Sequence, residues 1–333
     1  MYFIFKKLVK KDIYEGEMMT HVSVVICTYN PDIESIKRTI IAAIKQQDVI
    51  FEIIITDDGS KNFPKETIEQ IFRSLCFTRY KIVLNKTNVG TVRNILEGLK
   101  YSVGEYVFLT SPGDFLADQF VLRDFYYFAK KRHAISVFGN AVFYNYQDEK
   151  IQTYSVINKP HITNIFKYRI LRKISALAII EGVKILGASY FREKKCAVKY
   201  FNEILRTTKY VEDSTSSLCA ILDGEYHLYY DRNIIWYEYG SGISTNGNSK
   251  WENIVKNEYD ITRSYLFEKY KKNTMVRYVE MKVQVKRHRG KSIFELFIMH
   301  PCLFFLDVFL KLQKPVYTRK INLDYSRHSR ESG

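Results

Sequence analysis

Four short apolar runs in the first third of the chain each end in a polar loop, and longer amphipathic stretches separate them. The runs cover residues 22–27, 51–56, 80–84 and 106–110. Continuous apolar runs of this length are typical of strands buried on both faces of a parallel sheet, and the helical spacing of apolar residues between them predicts connecting helices. The pattern therefore predicts βαβ units and an α/β fold, with a mostly parallel central sheet flanked by helices.

The loops that follow these runs are expected to form a ligand site. They cover residues 28–31, 57–60, 85–90 and 111–114, and in three of the four an Asp, Asn or Thr stands directly beside Gly or Pro. In an open parallel sheet, ligands bind at the carboxyl ends of the strands. Neither a GxGxxG nor a GxxxxGK[ST] motif follows the first run, so we expect no glycine-rich loop that cradles a diphosphate.

The second half of the chain has a less regular pattern. Residues 183–191 and 226–239 are rich in side chains that favour strands. An acidic segment, 211–215, lies between them and precedes an apolar helix at 217–222. Beyond residue 251 the pattern becomes helical and basic, which predicts a helical C-terminal extension.

Positive charge is in large excess: 51 Lys and Arg stand against 36 Asp and Glu, a formal net charge of +15. Residues 271–333 hold 14 basic and 5 acidic side chains, so most of that excess lies at the C-terminal end. Positive charge concentrated beside apolar residues indicates an anionic partner surface. The five cysteines show no CxxC spacing and no cluster with histidine, which argues against a zinc site or a disulfide frame.

Several segments resemble a known family. Residues 23–30 (SVVICTYN), 52–60 (EIIITDDGS) and 85–114, which ends in SPGD, are similar to the opening of the inverting family-two glycosyltransferases with the GT-A fold. Later segments resemble that family's acceptor-side strand, acidic motif and closing loop, namely 187–192 (GASYFR), 211–221 (VEDSTSSLCAI) and 237–244 (YEYGSGIS). The resemblance implies transfer of a sugar from a nucleoside-diphosphate donor, with a UDP-sugar expected, in bacterial surface-polysaccharide synthesis.

The resemblance covers about residues 20–250 and suggests a division of the chain. Residues 1–19 are interpreted as an N-terminal extension, and 251–333 as a basic helical segment. Between them lies the catalytic domain, with a nucleotide-sugar half (20–115) and an acceptor half (116–250).

The resemblance also implies that the first two loops bind the nucleotide. Asp58 would accept a hydrogen bond from a uracil-like imide N–H, while Thr28 offers a hydroxyl and Tyr29 a stacking ring. A simple turn remains the alternative for the Asp-Asp-Gly segment. Arg93 and Asn94 are expected near phosphate or ribose, although Arg93 fits a solvated helix face equally well. The remaining residues assigned to the nucleotide-sugar site are Asn30, Asn88, Gly90, Ser111, Pro112 and Gly113.

Asp114 is expected to bind a divalent cation, Mn²⁺ or Mg²⁺. Held between a carboxylate and the diphosphate oxygens, such a cation stabilises the leaving group as a Lewis acid. The family motif usually presents two acidic residues across three positions, whereas this chain has Ser-Pro-Gly-Asp, so only Asp114 remains. A Pro-Gly turn with Asp114 capping a helix is the alternative.

Asp213 is the expected general base, which must reach the acceptor hydroxyl on the face of the sugar opposite the diphosphate. An Asp just before Ser214 and Thr215 and an apolar helix also matches an N-cap, and the two roles are compatible. Glu212 is the weaker candidate for the base. The acceptor side of the site is assigned to Gly187, Ala188, Glu212 and Gly240.

Residues 275–312 combine basic side chains with an aromatic and leucine-rich stretch. Glu295, His300, Pro301 and Asp307 interrupt that stretch too often for a transmembrane helix. We expect it to lie on an anionic membrane surface, so that the chain would be peripheral on the cytoplasmic face of the cell membrane and act on a lipid-linked saccharide acceptor. The alternative is a helical pair packed on the catalytic domain. Nucleic acid is not expected as a partner, because no recognition motif accompanies the charge.

Two other functions remain open at this stage. A nucleotidyltransferase that makes sugar nucleotides would keep the fold, but no Gly-rich loop with adjacent Arg and Lys follows the first strand to bind a triphosphate. A catalytically inactive, glycan-binding scaffold would explain the reduced acidic motif, whereas Asp213 argues against it.

Overall fold

The computed structural model describes residues 13–14, 17–147, 150–239, 249–287 and 292–316. A short antiparallel pair, β1 (Ile13–Tyr14) and β2 (Glu17–Met18), comes first. The described part of the chain then forms one nine-stranded sheet with helices packed against it. The α/β fold class predicted from the sequence is confirmed.

The first half of the sheet is parallel. It contains β3 (Val22–Thr28), β4 (Phe51–Asp57), β5 (Tyr80–Leu84) and β6 (Tyr106–Thr110), in the spatial order β5-β4-β3-β6. The connecting helices are α1 (Ile33–Ile44), α2 (Lys65–Ser74) and α3 (Thr91–Tyr101). Strand β3 is buried on both faces, which is why its sequence is a continuous apolar run.

The second half of the sheet is mixed. It contains β7 (Phe115–Leu116), β8 (Ser136–Gln147), β9 (Lys150–Ile157), β10 (Tyr190–Glu193) and β11 (Leu228–Glu238). Strand β10 lies antiparallel between β6 and β8, β9 is antiparallel to β8, β11 is parallel to β8, and β7 is antiparallel to β11. All pairings among the first four strands of this sheet are parallel, whereas the second half has four antiparallel pairings and one parallel pairing, β8 with β11. Local periodicity does not specify these directions, because they depend on the end of the sheet at which the chain enters.

One predicted strand is largely wrong. Residues 183–191 were expected to be extended, but only their last two residues belong to β10, and Gly187–Ser189 form a 3-10 turn. The apolar character of this segment has another cause: Ile185 is buried as part of a loop. The strand predicted at 226–239 is confirmed as β11.

Four helices complete the central part of the chain, and two 3-10 turns, Thr163–Phe166 and Arg169–Leu171, precede the second of them. The helices are α4 (Val121–Arg132), α5 (Arg172–Ile180), α6 (Lys194–Ile204) and α7 (Asp213–Leu222). Every residue of α7 from Ser214 to Leu222 is buried. A helix buried on all sides is fixed by its neighbours, so the side chains at its N-terminus are held in place.

The C-terminal part is helical, as predicted, with α8 (Ser249–Lys269), α9 (Thr274–Lys286), α10 (Ile293–Met299) and α11 (Pro301–Lys311). Helix α9 packs on the domain through Val276 and Tyr278, which are fully buried. Lys282, one of its basic residues, forms ion pairs with Glu181 and Asp307. The alternative of helices packed on the catalytic domain is therefore correct for α9.

In the ranges that the structure describes, no individual helix is both long and apolar enough to cross a bilayer. Helices α10 and α11 meet the length and hydropathy criteria only when taken together, and they are bent by 117° at their junction.

Candidate active site

The loops after β3 and β4 are joined by the carboxylate of Asp57. Its Oδ1 accepts hydrogen bonds from the Thr28 hydroxyl at 2.8 Å and the Ser60 hydroxyl at 2.6 Å, and its Oδ2 accepts the Ser60 N–H at 2.7 Å. Ser60 Oγ in turn accepts the N–H of Asn30 at 2.6 Å. Thr28 and Asn30 therefore lie together at the sheet edge as predicted. Asp57, which the sequence interpretation did not assign, fixes both loops.

The neighbouring Asp58 holds the third loop. Its buried carboxylate accepts the N–H of Val89 at 2.6 Å and that of Gly90 at 3.0 Å. Burial raises the pKa of this carboxyl, against the lowering effect of the two N–H donors and of Lys209. Asp58 thus orders the loop that follows β5, and its predicted contact with a uracil-like imide stays a prediction.

Asn94 is buried, whereas its neighbour in sequence, Arg93, is exposed to solvent. The Asn94 side chain is buried; it accepts from the Thr56 hydroxyl at 2.8 Å and from the Asn85 amide at 2.9 Å, and it donates to the Thr56 carbonyl at 3.1 Å. These bonds tie the end of β4 to α3, so Asn94 has a clear structural role. Arg93 is exposed, as a solvated helix face would be.

The surface of this loop cluster is open to solvent. Tyr29 is 54% exposed, so its ring is free of a protein stacking partner in the described residues. Asn88 and Ser111 are also exposed. At Gly90 (φ +90°) an added Cβ would lie 2.2 Å from the Lys209 side chain. Lys209 is a cation that the sequence interpretation missed, although it lies just before the acidic segment.

Asp114 is buried at the end of β6, in the Ser111-Pro112-Gly113-Asp114 loop. Its Oδ1 accepts the backbone N–H of Glu238, 2.9 Å away. The Thr39 hydroxyl donates to the Asp114 carbonyl at 2.7 Å and fixes the turn from α1. Burial raises the pKa of the Asp114 carboxyl well above its usual range, and the charge of Glu238 raises it further.

Glu238 supplies a second acidic group that was not assigned from the sequence. Its carboxylate lies against Gly113 (φ +95°), where an added Cβ would be 2.0 Å from Oε2. Arg38 forms an ion pair with it at 3.6 Å. The only sequence signal for this residue is its position in the segment that resembles the closing loop.

These two acidic side chains suit a hard divalent cation. Asp114 and Glu238 offer carboxylate oxygens in a largely buried position, and burial raises the pKa of both. Among the described residues no group of three or more His, Cys, Asp and Glu could hold a metal ion by itself. A site with one or two protein carboxylates fits the mode in which substrate phosphates and water complete the coordination of Mg²⁺. The residues present therefore fit such a cation when a diphosphate is bound.

Asp213 is the first residue of α7, and its carboxylate is held from both sides. Its Oδ2 accepts the N–H of Gly187 at 3.1 Å, and its Oδ1 accepts the N–H of Ser214 at 2.5 Å. The N-cap position belongs to Glu212, whose side chain makes no capping bond. The alternative of Asp213 as the N-cap is thus wrong, although its carboxylate does satisfy a donor in the first turn.

Gly187, Glu212 and Asp213 form one cluster, as the acceptor-side assignment predicts. A Cβ added at Gly187 would lie 2.9 Å from both Glu212 Oε1 and Asp213 Cβ. Burial raises the pKa of Glu212, and the charge of Asp213 raises it further, while Arg192 opposes both effects. Ala188 is partly buried beside this cluster. Gly240, the last acceptor-side assignment, lies outside the described residues.

The loop after β5 and the acidic cluster are connected through Lys209. The Val92 N–H, at the start of α3, donates to the Lys209 carbonyl at 3.1 Å, and a Cβ added at Gly90 would meet the Lys209 side chain. Lys209 lies three and four positions before Glu212 and Asp213. This strand-end loop and the acidic cluster are therefore neighbours in the fold.

The chain is similar to known glycosyltransferases. The model of the family described as "Glycosyl transferase family 2" matches residues 23–192. A curated relative from Haemophilus influenzae, described as an uncharacterized glycosyltransferase, is 30% identical over 112 residues, which is 34% of each chain. A second relative from the same organism, with the same description, is 23% identical over 193 residues, which is 57% of this chain and 74% of the relative. The match to the first relative thus spans about a third of that relative's length.

Solved structures share the fold. The structure of S. aureus TarS 1-349 in complex with UDP-GlcNAc has a TM-score of 0.53 and 14% identity, with 93% of this chain and 92% of that chain covered. Another structure of S. aureus TarS 1-349 has a TM-score of 0.51 and 15% identity over the same shares of the two chains. The fold is of the GT-A type. The family match covers more than half of the chain, so this chain belongs to glycosyl transferase family 2.

Proposed function

We propose that this chain is an inverting glycosyltransferase that moves a sugar from a UDP-sugar to a hydroxyl group of a glycan or lipid-linked acceptor. The observation that carries the proposal is the acidic pair Glu212–Asp213, in which Asp213 accepts the N–H of Gly187, on the segment that begins at Lys209 beside the loop of Gly90. Family membership and the UDP-GlcNAc complex of the structural neighbour TarS support the donor class.

Asp213 is the base in this proposal. Inversion is a single displacement, so the acceptor hydroxyl must lose its proton while it attacks the anomeric carbon. The carboxylate has two fixed N–H donors, which hold its orientation before substrate arrives. Burial, together with the charge of Asp213, raises the pKa of Glu212, so Glu212 is protonated more readily than a free Glu.

Asp114 and Glu238 would hold Mn²⁺ or Mg²⁺ together with the donor diphosphate. A cation at this position supplies charge neutralisation for the leaving group. Lys209 lies against Gly90 and brings a positive charge to the loop after β5. The side chain of Tyr29 is exposed at the nucleotide end of the site and offers a face for base stacking.

The acceptor and its location are also part of the proposal. We place the protein on the cytoplasmic face of a bacterial membrane, in the synthesis of a surface polysaccharide. The uneven charge of the chain, with its basic C-terminal end, supports this location.

The test is a donor-hydrolysis assay on the full chain with a panel of nucleotide sugars and Mn²⁺ or Mg²⁺. We expect release of UDP from one UDP-sugar, and the first sugar anomer seen by proton NMR should have the opposite configuration to the donor. Asp213→Asn should abolish inverted product, whereas Asp260→Asn, an exposed carboxylate on α8, should not change the rate. A retained anomeric configuration would contradict the proposed mechanism.

The same assay separates the two rival functions. A nucleotidyltransferase would consume a sugar 1-phosphate and a nucleoside triphosphate and would release pyrophosphate. A binding scaffold would release nothing from any donor while still retaining glycans on a column. Either result would overturn the proposed function.

A further inference from the structure

An exposed apolar surface covers the C-terminal helices α10 and α11. Phe294 is 66% exposed, Phe305 62% and Leu312 72%. On α11, residues 305, 309 and 312 follow helical spacing and so share one face. Ring contacts of Phe297 with Phe304 and Phe305 join the two helices. We call this surface the apolar face, and its members are Phe294, Ile298, Met299, Phe305, Phe309 and Leu312.

The bend between α10 and α11 suits helices that lie on a membrane surface better than helices that cross a membrane. Together they pass the length and hydropathy criteria for a membrane segment, but an angle of 117° keeps them from forming one straight rod. Their buried sides are already used by the fold, since Leu296, Leu303 and Leu310 belong to the main core. Only the outer side is left for a partner, as in an interfacial helix.

A basic groove lies at the start of helix α5, which packs against α11. It is lined by Arg169, Ile170, Arg172 and Lys173, and all four side chains are exposed. Arg172 and Lys173 form the first turn of α5, and α5 is in contact with α11. The Val316 N–H donates to the His161 carbonyl at 2.6 Å, so the chain just after α11 also runs beside the segment that leads to the groove.

This groove changes the sequence-based prediction of a membrane segment. Residues 275–312 were expected to contribute as one unit, but α9 is docked and Lys282 is buried in ion pairs. Exposed cations of residues 169–173, more than a hundred positions earlier, also accompany the apolar face. Lys311 and Lys314, both exposed, flank Leu312 at the end of α11.

We propose that the apolar face and the basic groove form one docking surface for an anionic lipid bilayer. Aromatic and aliphatic side chains would enter the headgroup region, while Arg169, Arg172 and Lys173 bind lipid phosphates. A second copy of this chain is a poorer occupant, because each copy has a formal net charge of +15 and the groove is cationic. The inference deepens the proposed function, on which its biological purpose rests, but its test measures lipid binding alone.

The test is co-sedimentation of the full chain with vesicles of phosphatidylcholine alone or with 30% phosphatidylglycerol added. We expect binding to the anionic vesicles that weakens with salt. Each cation near an anionic surface contributes about 1 kcal/mol, or roughly fivefold in partitioning. Arg169→Gln/Arg172→Gln/Lys173→Gln should therefore lower the partition coefficient by about a hundredfold. Lys131→Gln/Arg132→Gln/Lys195→Gln, three exposed cations elsewhere, is the matched control.

The apolar contribution is tested with Phe305→Gln/Phe309→Gln against Val103→Gln/Tyr101→Gln, two side chains that are also exposed. The first pair should lower vesicle binding at least tenfold and the second should not. Unchanged circular dichroism and donor hydrolysis without vesicles show that each variant is folded. Absence of binding to anionic vesicles, or equal effects of test and control variants, would overturn the proposal. So would a dimer in sedimentation velocity that Phe305→Gln/Phe309→Gln dissociates.

Discussion

The backbone N–H of Gly187 donates a hydrogen bond to Oδ2 of Asp213, 3.1 Å away. This bond connects the 3-10 turn before β10 with the first residue of α7, 26 positions later in the chain. Because Gly187 has no side chain, Glu212 and Asp213 can approach the turn closely. The position of the proposed base is thus set by a contact between distant segments, and the predictions below test this site and its supports.

Tyr29→Ala should weaken UDP binding and leave stability unchanged. Stacking of a base on an aromatic ring contributes roughly 1–3 kcal/mol, so we expect a five- to hundredfold increase in Kd. The side chain is 54% exposed, so its removal costs little core burial. Isothermal titration calorimetry with UDP measures the effect, and Tyr101→Ala, which is 45% exposed, is the control. An unchanged Kd in Tyr29→Ala would remove this ring from the nucleotide site.

Asp213→Asn should lower the rate of sugar transfer by roughly 10²–10⁴-fold, the usual contribution of a general base. The single amide oxygen of Asn can accept the N–H of Gly187 or that of Ser214 but not both, so we expect a modest fall in melting temperature beside the much larger loss of rate. UDP affinity should be kept, because the proposed nucleotide site lies at the ends of other strands. A loss of rate no larger than the loss of stability explains would show instead that Asp213 mainly supports the start of α7.

Asp114→Asn should separate two effects on thermal stability, the loss of cation binding and the removal of a buried negative charge. In EDTA we expect it to melt no lower than the unmodified chain, because it removes a buried charge beside Glu238 and can still accept that residue's N–H. With UDP present, Mn²⁺ should stabilise the unmodified chain by roughly 2.7 kcal/mol at a hundred times its Kd, and the variant should lose this gain. Differential scanning fluorimetry measures both, with Glu66→Gln, an exposed carboxylate, as control. An equal Mn²⁺ response in both proteins would contradict a cation role for Asp114.

Gly113→Ala should destabilise the chain more than Gly224→Ala does. Both glycines have positive φ values, +95° and +91°, so the backbone strain is matched at about 1–3 kcal/mol. Only Gly113 has a close neighbour, since its added Cβ would meet Glu238 Oε2, whereas nothing lies within 4 Å of Gly224. Urea unfolding gives the difference, which reports how tightly Glu238 is packed on the Ser-Pro-Gly-Asp loop. Equal losses would mean that Glu238 moves away freely.

His227 should make the chain less stable in mild acid. It is fully enclosed between the Ser136 hydroxyl and the Ser217 carbonyl, and burial lowers its pKa from 6.5 to about 3, with Arg192 adding to the effect. Below pH 6.5 the unfolded chain gains a proton here that the folded chain does not bind. Stability from this group is therefore complete above pH 6.5 and falls as the pH decreases toward 3, by about 2 kcal/mol between pH 7 and pH 5.

The variant His227→Gln isolates this contribution. Gln is neutral at every pH, so its free energy of unfolding should decrease by about 2 kcal/mol less than that of the unmodified chain over the same interval. Urea unfolding at pH 7 and pH 5 gives both values. Parallel pH dependence in the two proteins would show that His227 is protonated in the folded state.

Local patterns were sufficient for the first half of the molecule. The runs at residues 22–27 and 51–56 became buried parallel strands, and their loops meet at one sheet edge, because burial on both faces requires a continuous apolar sequence. The same patterns failed at residues 183–191, where apolar side chains fill a buried loop. There the apolar residue Ile185 is buried, but a buried side chain does not require an extended backbone.

The chemistry of the site was only partly available from the sequence. Asp114 and Asp213 were predicted as site residues because the resemblance fixes their order along the chain, and their roles stay predictions. The contact of Glu238 with Asp114 was not predicted, since it joins residues 124 positions apart and depends on the register of β11.

The sequence by itself determined the α/β class, the strand-end loops and which acidic residues are candidates for a general base or a cation ligand. These follow from short-range spacing and side-chain type. Only the tertiary structure decided which groups contact each other. Asp58 accepts the N–H of Val89, Asp213 accepts the N–H of Gly187, and the basic groove lies beside α11. The physical reason is that hydrogen bonds and ion pairs depend on distances of about 3 Å between atoms. Only the packing of distant segments sets those distances.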